Sequence, residues 1–426
     1  MTPGATQPAT GAPAPQRRAR LLFVDDEAMV LDGLRNILHR DRRLWHIAFA
    51  QSGEAALAEL TRQPADVVVS DLRMPGMDGA TFLSEVRSRW PATARIVLSG
   101  HAEERIVVRA AAVAHQYLSK PLEPEALRRT ITRTLDLCRL LQDPKVGAAV
   151  GRLDRLPLRP SVFLELSALL ESERASADQI TEVVERDPAI CLKMLQLVNS
   201  AYFGLARPIS SIRQAVVYLG STRIKELALS AELFGRAIDH DVGGTMEGIQ
   251  CHSLATAAVA RQLVSRPEQG DEAFTAALLH DIGRIVLGLG IPGQYAEIAR
   301  EAERTARPVH DVERERLGTD HAAVGACLLT LWGLPFSIAE VVAFHESPSD
   351  IGDGPCDVLA AVHVADRLVS AARRGAESEV IDRVFLERAG FTPQLERWTA
   401  VAQAWLGAHG KSASAHRPAG GGNDGA

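Results

Sequence analysis

The sequence is poor in aromatic side chains, has few and scattered cysteines, lacks a long uncharged apolar run, and shows no basic excess. Only 5% of its 426 residues are Phe, Trp or Tyr, which weighs against a β-sandwich and towards helix-rich folds. Cys138, Cys191, Cys251, Cys327 and Cys356 are odd in number and form no Cys-x-x-Cys pair. That argues against a disulfide framework and for a reducing, cytoplasmic compartment in which these thiols act as small buried hydrophobes. The stretch Met1–Pro15 is rich in Ala, Pro, Thr and Gly with no apolar centre, unlike a secretory signal. No run of about 18 apolar residues predicts a membrane span. Lys+Arg number 47 against 53 Asp+Glu, a formal net charge of -6, which gives no general electrostatic reason to bind nucleic acid.

What is present is the composition of a globular chain, 46% hydrophobic and 23% charged, long enough for two to four domains. Residues 1–18 and 409–426 are predicted to be disordered tails, because they cannot bury enough apolar surface to offset ordering entropy. Over 19–142 short apolar runs (Leu21–Val24, His46–Phe49, Val67–Ser70, Ile96–Ser99, Gln116–Leu118) alternate with amphipathic stretches. This pattern predicts an α/β domain built on a doubly wound five-stranded parallel sheet. Residues 143–156 read as a linker, and from about 150 strand signals vanish in favour of helix after helix. Asp187-Pro188 is an N-cap followed by Pro at the first helical position. Ser210 or Ser211, Ser221 and Asp271 are further candidate caps, and Gly204, Gly220 and Gly333 candidate helix stops. The chain therefore reads as α/β followed by all-α, with 351–408 a helical extension packed on the core.

Parallel sheets collect the carboxyl ends of their strands at one edge. Here those ends carry Asp25 and Asp26 after the first strand, Asp71 at the third, Ser99 at the fourth and Lys120 at the fifth. Clustered carboxylates repel unless a cation intervenes, and Mg²⁺ with oxygen ligands suits a site that handles phosphate. Lys120 offers a point charge to a phosphoryl oxygen, and a carboxylate can itself be the nucleophile. Asp71, central in the sheet and ahead of the Pro75-Gly76 turn, is the best candidate. The bland alternative for any single acid is a loop cap; the five together make it a poor account.

The stretches LLFVDDE (21–27), VVVSDLRMPGMDG (67–79), RIVLSGH (95–101) and YLSKP (117–121) resemble the receiver domain of two-component response regulators, which is flavodoxin-like in fold. The resemblance implies that Asp71 is the phosphoacceptor, served by a sensor histidine kinase. It implies that Asp25, Asp26, Asp71 and the backbone carbonyl of Arg73 hold Mg²⁺, with Asp26 the more direct ligand. Ser99 and Lys120 would contact the phosphoryl group, and Tyr117 would be the aromatic switch.

The helical half carries a second set: His252, the adjacent His280 and Asp281, His321, His345 and Asp366. Each lies on an otherwise apolar helix face, so it needs a buried partner. Imidazole and carboxylate suit a metal such as Fe, Mn or Zn, with Asp281 able to bridge two ions. The bland alternative is a set of hydrogen-bonded core histidines. Residues 150–350, above all 183–229 together with LLHDIGRIVL (278–287) and HAAVGACLLTLWGLP (321–335), resemble the HDOD domain of the HD superfamily. HD enzymes are metal-dependent phosphohydrolases, and their ligand pattern carries onto His252, His280, Asp281 and Asp366. His321 and His345 fall where HD-GYP phosphodiesterases place further histidines. Phe344 stands where those enzymes carry another His, and no Gly-Tyr-Pro follows.

Three functions follow as expectations. The first is a phosphorelay regulator signalling through the helical half to a protein partner. The second is a phosphorylation-gated phosphohydrolase acting on a cyclic dinucleotide. The third, a transcription factor, is disfavoured: in 385–407 Leu395, Trp398, Val401 and Trp405 form one apolar stripe rather than a basic recognition helix. Homodimerisation is compatible with the sequence but marked by no residue pattern.

Overall fold

The computed structural model describes residues 18–99, 114–120, 123–140, 146–148, 150, 160–171, 175–199, 205, 208–229, 245–351, 357–374 and 380–413. The expected tails 1–17 and 414–426, and Gly204, lie outside the described residues.

Five strands, β1 (Ala19–Val24), β2 (Trp45–Ala50), β3 (Val67–Asp71), β4 (Ala94–Ser99) and β5 (Gln116–Ser119), form one sheet in the order β2-β1-β3-β4-β5. Every pairing is parallel. β1 and β3 are buried along their whole length, as parallel strands covered on both faces must be. Successive side chains serve different layers. Leu21 and Phe23 join α1 (Ala28–Ile37), while Leu22 and Val24 join α2 (Gly53–Arg62) and α3 (Gly79–Arg89). The first layer also holds α4 (Pro124–Leu140).

The rest is helical: α5 (Pro160–Glu171), α6 (Ala177–Val184), α7 (Pro188–Val198), α8 (Ile212–Leu229), α9 (Thr245–Leu263), α10 (Pro267–Leu279) and α11 (Ile282–Gly290). Then come α12 (Pro292–Thr305), α13 (Val309–Leu317), α14 (His321–Leu331), α15 (Phe336–Phe344), α16 (Asp357–Arg374), α17 (Arg383–Arg388) and α18 (Leu395–Ala413). Asp187 caps α7 by accepting from the N–H groups of Ala189 and Ile190. Ser211 accepts from Gln214 N–H at the start of α8. Gly220, at φ 72°, breaks α8 into two segments.

The sequence expectations differ from this architecture at several points. Asp271 is no cap: it sits inside α10 and accepts from the Ser211 hydroxyl at 3.0 Å. Residues 409–413 continue α18 where a tail was expected, with the His409 ring stacked on Trp405 at 4.5 Å one turn earlier. Val146 and Val150, within the expected linker, are buried in the core that runs from the sheet into the helices. Gln269–Gly290 is long and apolar enough by composition to cross a membrane. It is mostly buried among other helices and is interrupted by the buried His280–Asp281 pair. The stripe on α18 packs as expected, with Trp398 3% exposed and Leu395, Val401 and Trp405 against the common core.

Candidate functional site

The sheet reverses its winding between β1 and β3, and the carboxyl ends of those two strands carry Asp25 and Asp71. Both are buried. Lys120, just past β5, donates to Asp25 Oδ2 at 2.8 Å and contacts Asp71 Oδ1 at 2.6 Å. Burial weighs against the ammonium charge, but hydrogen bonds and the charges of Asp25 and Asp71 outweigh it and raise the Lys120 pKa. The remaining oxygens accept backbone N–H groups, Glu27 N–H onto Asp25 Oδ1 at 3.0 Å and Arg73 N–H onto Asp71 Oδ2 at 2.9 Å. Asp26 is exposed beside this pocket. Gly79 makes the loop fit: a Cβ there would lie 2.1 Å from the Asp71 carbonyl oxygen. The structure thus brings Asp25, Asp71 and Lys120 into contact. Ser99 and Tyr117 lie on β4 and β5, but their side chains fall outside the described residues.

The second set converges through helix ends. His252 comes from α9, His280 caps the C-terminus of α10, and Asp281 precedes α11 without capping it. His321 opens α14, His345 caps the C-terminus of α15, and Asp366 comes from α16. All six are buried, His321 and His345 completely. A close approach of α11 to α14 makes this possible: a Cβ on Gly283 would lie 1.9 Å from the His321 carbonyl oxygen. His252 Nε2 lies 2.8 Å from Asp366 Oδ1, His280 Nε2 3.7 Å from Asp281 Oδ2, and His321 Nε2 3.3 Å from Asp281 Oδ1. Ligand atoms of His252, His280 and Asp281 lie within 4.8 Å of one another, as do those of Asp281, His321 and His345. Asp281 is common to both groups.

This donor set fits a metal. The Nε2 atoms of His280, His321 and His345 are buried and have no hydrogen-bond partner among the described residues. Their Nδ1 atoms are engaged, with Ala277 O at 2.5 Å, Glu313 Oε2 at 2.7 Å and Val342 O at 2.8 Å. Engaging one ring nitrogen from behind leaves the other as a ligand. Burial opposes the Asp281 charge, but Arg284, His280 and His321 hold its carboxyl far below the usual range. Burial lowers the His345 pKa, reinforced by His280 and His321.

Sequence reasoning missed the surrounding groups. Glu346 Oε1 lies 3.4 Å from His321 Nε2, and its Oε2 pairs with Arg367 and, at 3.1 Å, with His310 Nδ1. Burial leads the causes that push His310 down to about 4. Glu313 is wholly buried. It had a readable signal: it occupies a stripe position with Val309, Val312 and Leu317, where spacing calls for an apolar residue.

An acidic pocket with a lysine at a switch point, followed by a helical domain with a converged His/Asp cluster, defines the class: a receiver-type module joined to an HD-type domain. The response regulator receiver domain model matches residues 21–132 and the HDOD domain model residues 156–348. The chain is a receiver–HDOD response regulator. It is 31% identical over 237 residues to the hydrogenase transcriptional regulatory protein HoxA of Cupriavidus necator, covering 51% of this chain and 48% of that protein. It is 36% identical over 150 residues to a protein-glutamate methylesterase/protein-glutamine glutaminase of Anaeromyxobacter dehalogenans, covering 34% of this chain and 42% of that one. The chain thus spans about half the length of these curated relatives. Among solved structures, the MmoQ response regulator of Methylococcus capsulatus is 26% identical, covering 58% of this chain and 99% of that one, at a TM-score of 0.45.

Proposed function

We propose that this protein is a phosphorelay regulator phosphorylated on Asp71 by a sensor histidine kinase, acting in the cytoplasm and signalling through its HDOD half to a protein partner. The observation that carries this reading is the bridge from Lys120 to both Asp25 and Asp71 at the switch point. An Asp71 carboxylate oxygen attacks phosphorus; an O–P bond forms as the bond from phosphorus to the donor's imidazole breaks. The phosphoryl group carries a charge of about −1.5 to −2 where the carboxylate carried −1. Lys120 is placed to neutralise it, and Ser99 and Tyr117 are the residues expected to respond. Asp25, Asp26, Asp71 and the Arg73 carbonyl would hold Mg²⁺, which when bound offsets negative charge on the phosphoryl oxygens. Incubation with radiolabelled acetyl phosphate should label the wild type and leave Asp71→Asn unlabelled. Equal labelling of the two rejects the reading.

A second reading is favoured by the three imidazole nitrogens around Asp281 that have no hydrogen-bond partner among the described residues: a metal-dependent phosphohydrolase gated by the receiver. His252, His280, Asp281 and Asp366 would hold one ion, and Asp281, His321 and His345 a second, of Fe, Mn or Zn. Such ions, when bound, lower the pKa of water and polarise phosphoryl oxygens. The protein's own groups position that chemistry and exclude bulk water, since every ligand is buried. A cyclic dinucleotide is the substrate class to test. Gently purified protein should contain metal and turn the dinucleotide over; absence of metal, with no turnover after metal addition, removes this reading.

A further inference from the structure

Behind His321 runs a chain of buried polar groups that neither reading uses. Glu313 Oε1 accepts from the Tyr295 hydroxyl at 2.8 Å. Glu313 Oε2 accepts the His321 backbone N–H at 2.8 Å and lies 2.7 Å from His321 Nδ1. Since a carboxylate only accepts, Nδ1 carries a proton, and Nε2 is left facing Asp281 Oδ1. Arg284 donates to Asp281 Oδ2 at 3.0 Å, and its charge is electrostatically coupled to Tyr295 and Glu313. Arg284 thus backs Asp281, and Tyr295 with Glu313 backs His321.

The position of His321 explains why a carboxylate is needed there. His280 and His345 end their helices, so each finds the carbonyl three residues back in its own helix. His321 opens α14 and has no such carbonyl. Without Glu313 its ring could flip and change tautomer. Burying a carboxylate is unfavourable, and a purely structural stripe position avoids that cost with an apolar side chain. The expense is intelligible if one imidazole nitrogen must be held in a fixed direction.

We propose that Glu313, anchored by Tyr295, is the positioning residue of the second metal subsite, fixing His321 with Nε2 towards Asp281. This rests on the metal-dependent reading. The test uses full-length, chelator-treated protein titrated with Co²⁺ in excess Mg²⁺, which fills the receiver's acidic pocket, and followed by visible absorption and by competition with a chelator. The wild type should take up two Co²⁺ per chain. In Glu313→Ala the first ion should bind as before, while affinity for the second falls by about 10–100-fold and its absorption band changes. Tyr295→Phe, a milder variant that leaves the carboxylate in place, should weaken the second ion in the same direction by less. It decides the matter if Glu313→Ala does not fold. Fewer than two Co²⁺ in the wild type overturns the two-metal reading and this inference with it. Two Co²⁺ bound by the wild type, with second-ion affinity unchanged in the variants that fold, overturns the inference alone, whatever their thermal stability.

Discussion

The side-chain amide of Gln116 donates a hydrogen bond to the main-chain oxygen of Thr330. It ties the last strand of the sheet to the C-terminal turn of α14, the helix that begins at His321. α4 packs on the same helix. Eleven helical residues span about 16 Å, so one rigid element touches the receiver at one end and the histidine cluster at the other. Lys120 lies one residue beyond β5. The acidic pocket, β5, α14 and His321 are therefore physically continuous.

Gln116→Ala should cost about 1 kcal/mol, the worth of an ordinary hydrogen bond. The loss should be local. Hydrogen exchange monitored by mass spectrometry should quicken in α4 and the last turn of α14 and stay unchanged in β1 and β3. Uniform quickening would mean that the contact does not define this junction.

Lys120→Met leaves Asp25 and Asp71 facing each other without their cation. Hydrogen bonds to charged groups are worth about 1.5–3 kcal/mol, and Lys120 is 26% exposed, so the lower half of that range is expected. Urea unfolding without divalent cations measures it. Added Mg²⁺ should recover more stability in the variant than in the wild type.

Gly283→Ala places a methyl group against backbone, which cannot give way. A loss of roughly 2–3 kcal/mol or more is expected, with weakened metal uptake in the helical half. Gly407, in α18, has nothing within 4 Å of the same methyl. Gly407→Ala should therefore stabilise by about 0.5–1 kcal/mol through helix propensity alone. Thermal unfolding of the two variants side by side checks the contrast.

His115 should make stability fall on mild acidification. Burial holds its pKa well below the ordinary 6.5, and the charges of Arg95 and Lys193 add to the effect. The unfolded chain then binds a proton that the folded chain refuses. This contribution is intact above pH 6.5 and is lost as pH falls below it, at up to about 1.4 kcal/mol per pH unit. Thermal midpoints of wild type and His115→Gln between pH 7.5 and 5.5 should show a shallower decline in the variant.

The acids and lysine at the strand ends were legible because a parallel sheet has only one edge for its carboxyl ends. Apolar runs such as Val67–Val69 fixed which residues were strands, and Asp25, Asp71 and Lys120 then had to meet. The His280–Asp281 pair was legible as chemistry, since two polar residues interrupt an apolar helical stretch. Its surroundings were not. Glu313 is eight residues from His321, Tyr295 belongs to another helix, and Gln116 meets Thr330 across 214 positions. Local spacing specifies which face of a helix is buried, but not which helix it is buried against. That is decided by packing, here by the absent side chain of Gly283, which lets α11 reach the start of α14 and sets Asp281 against His321.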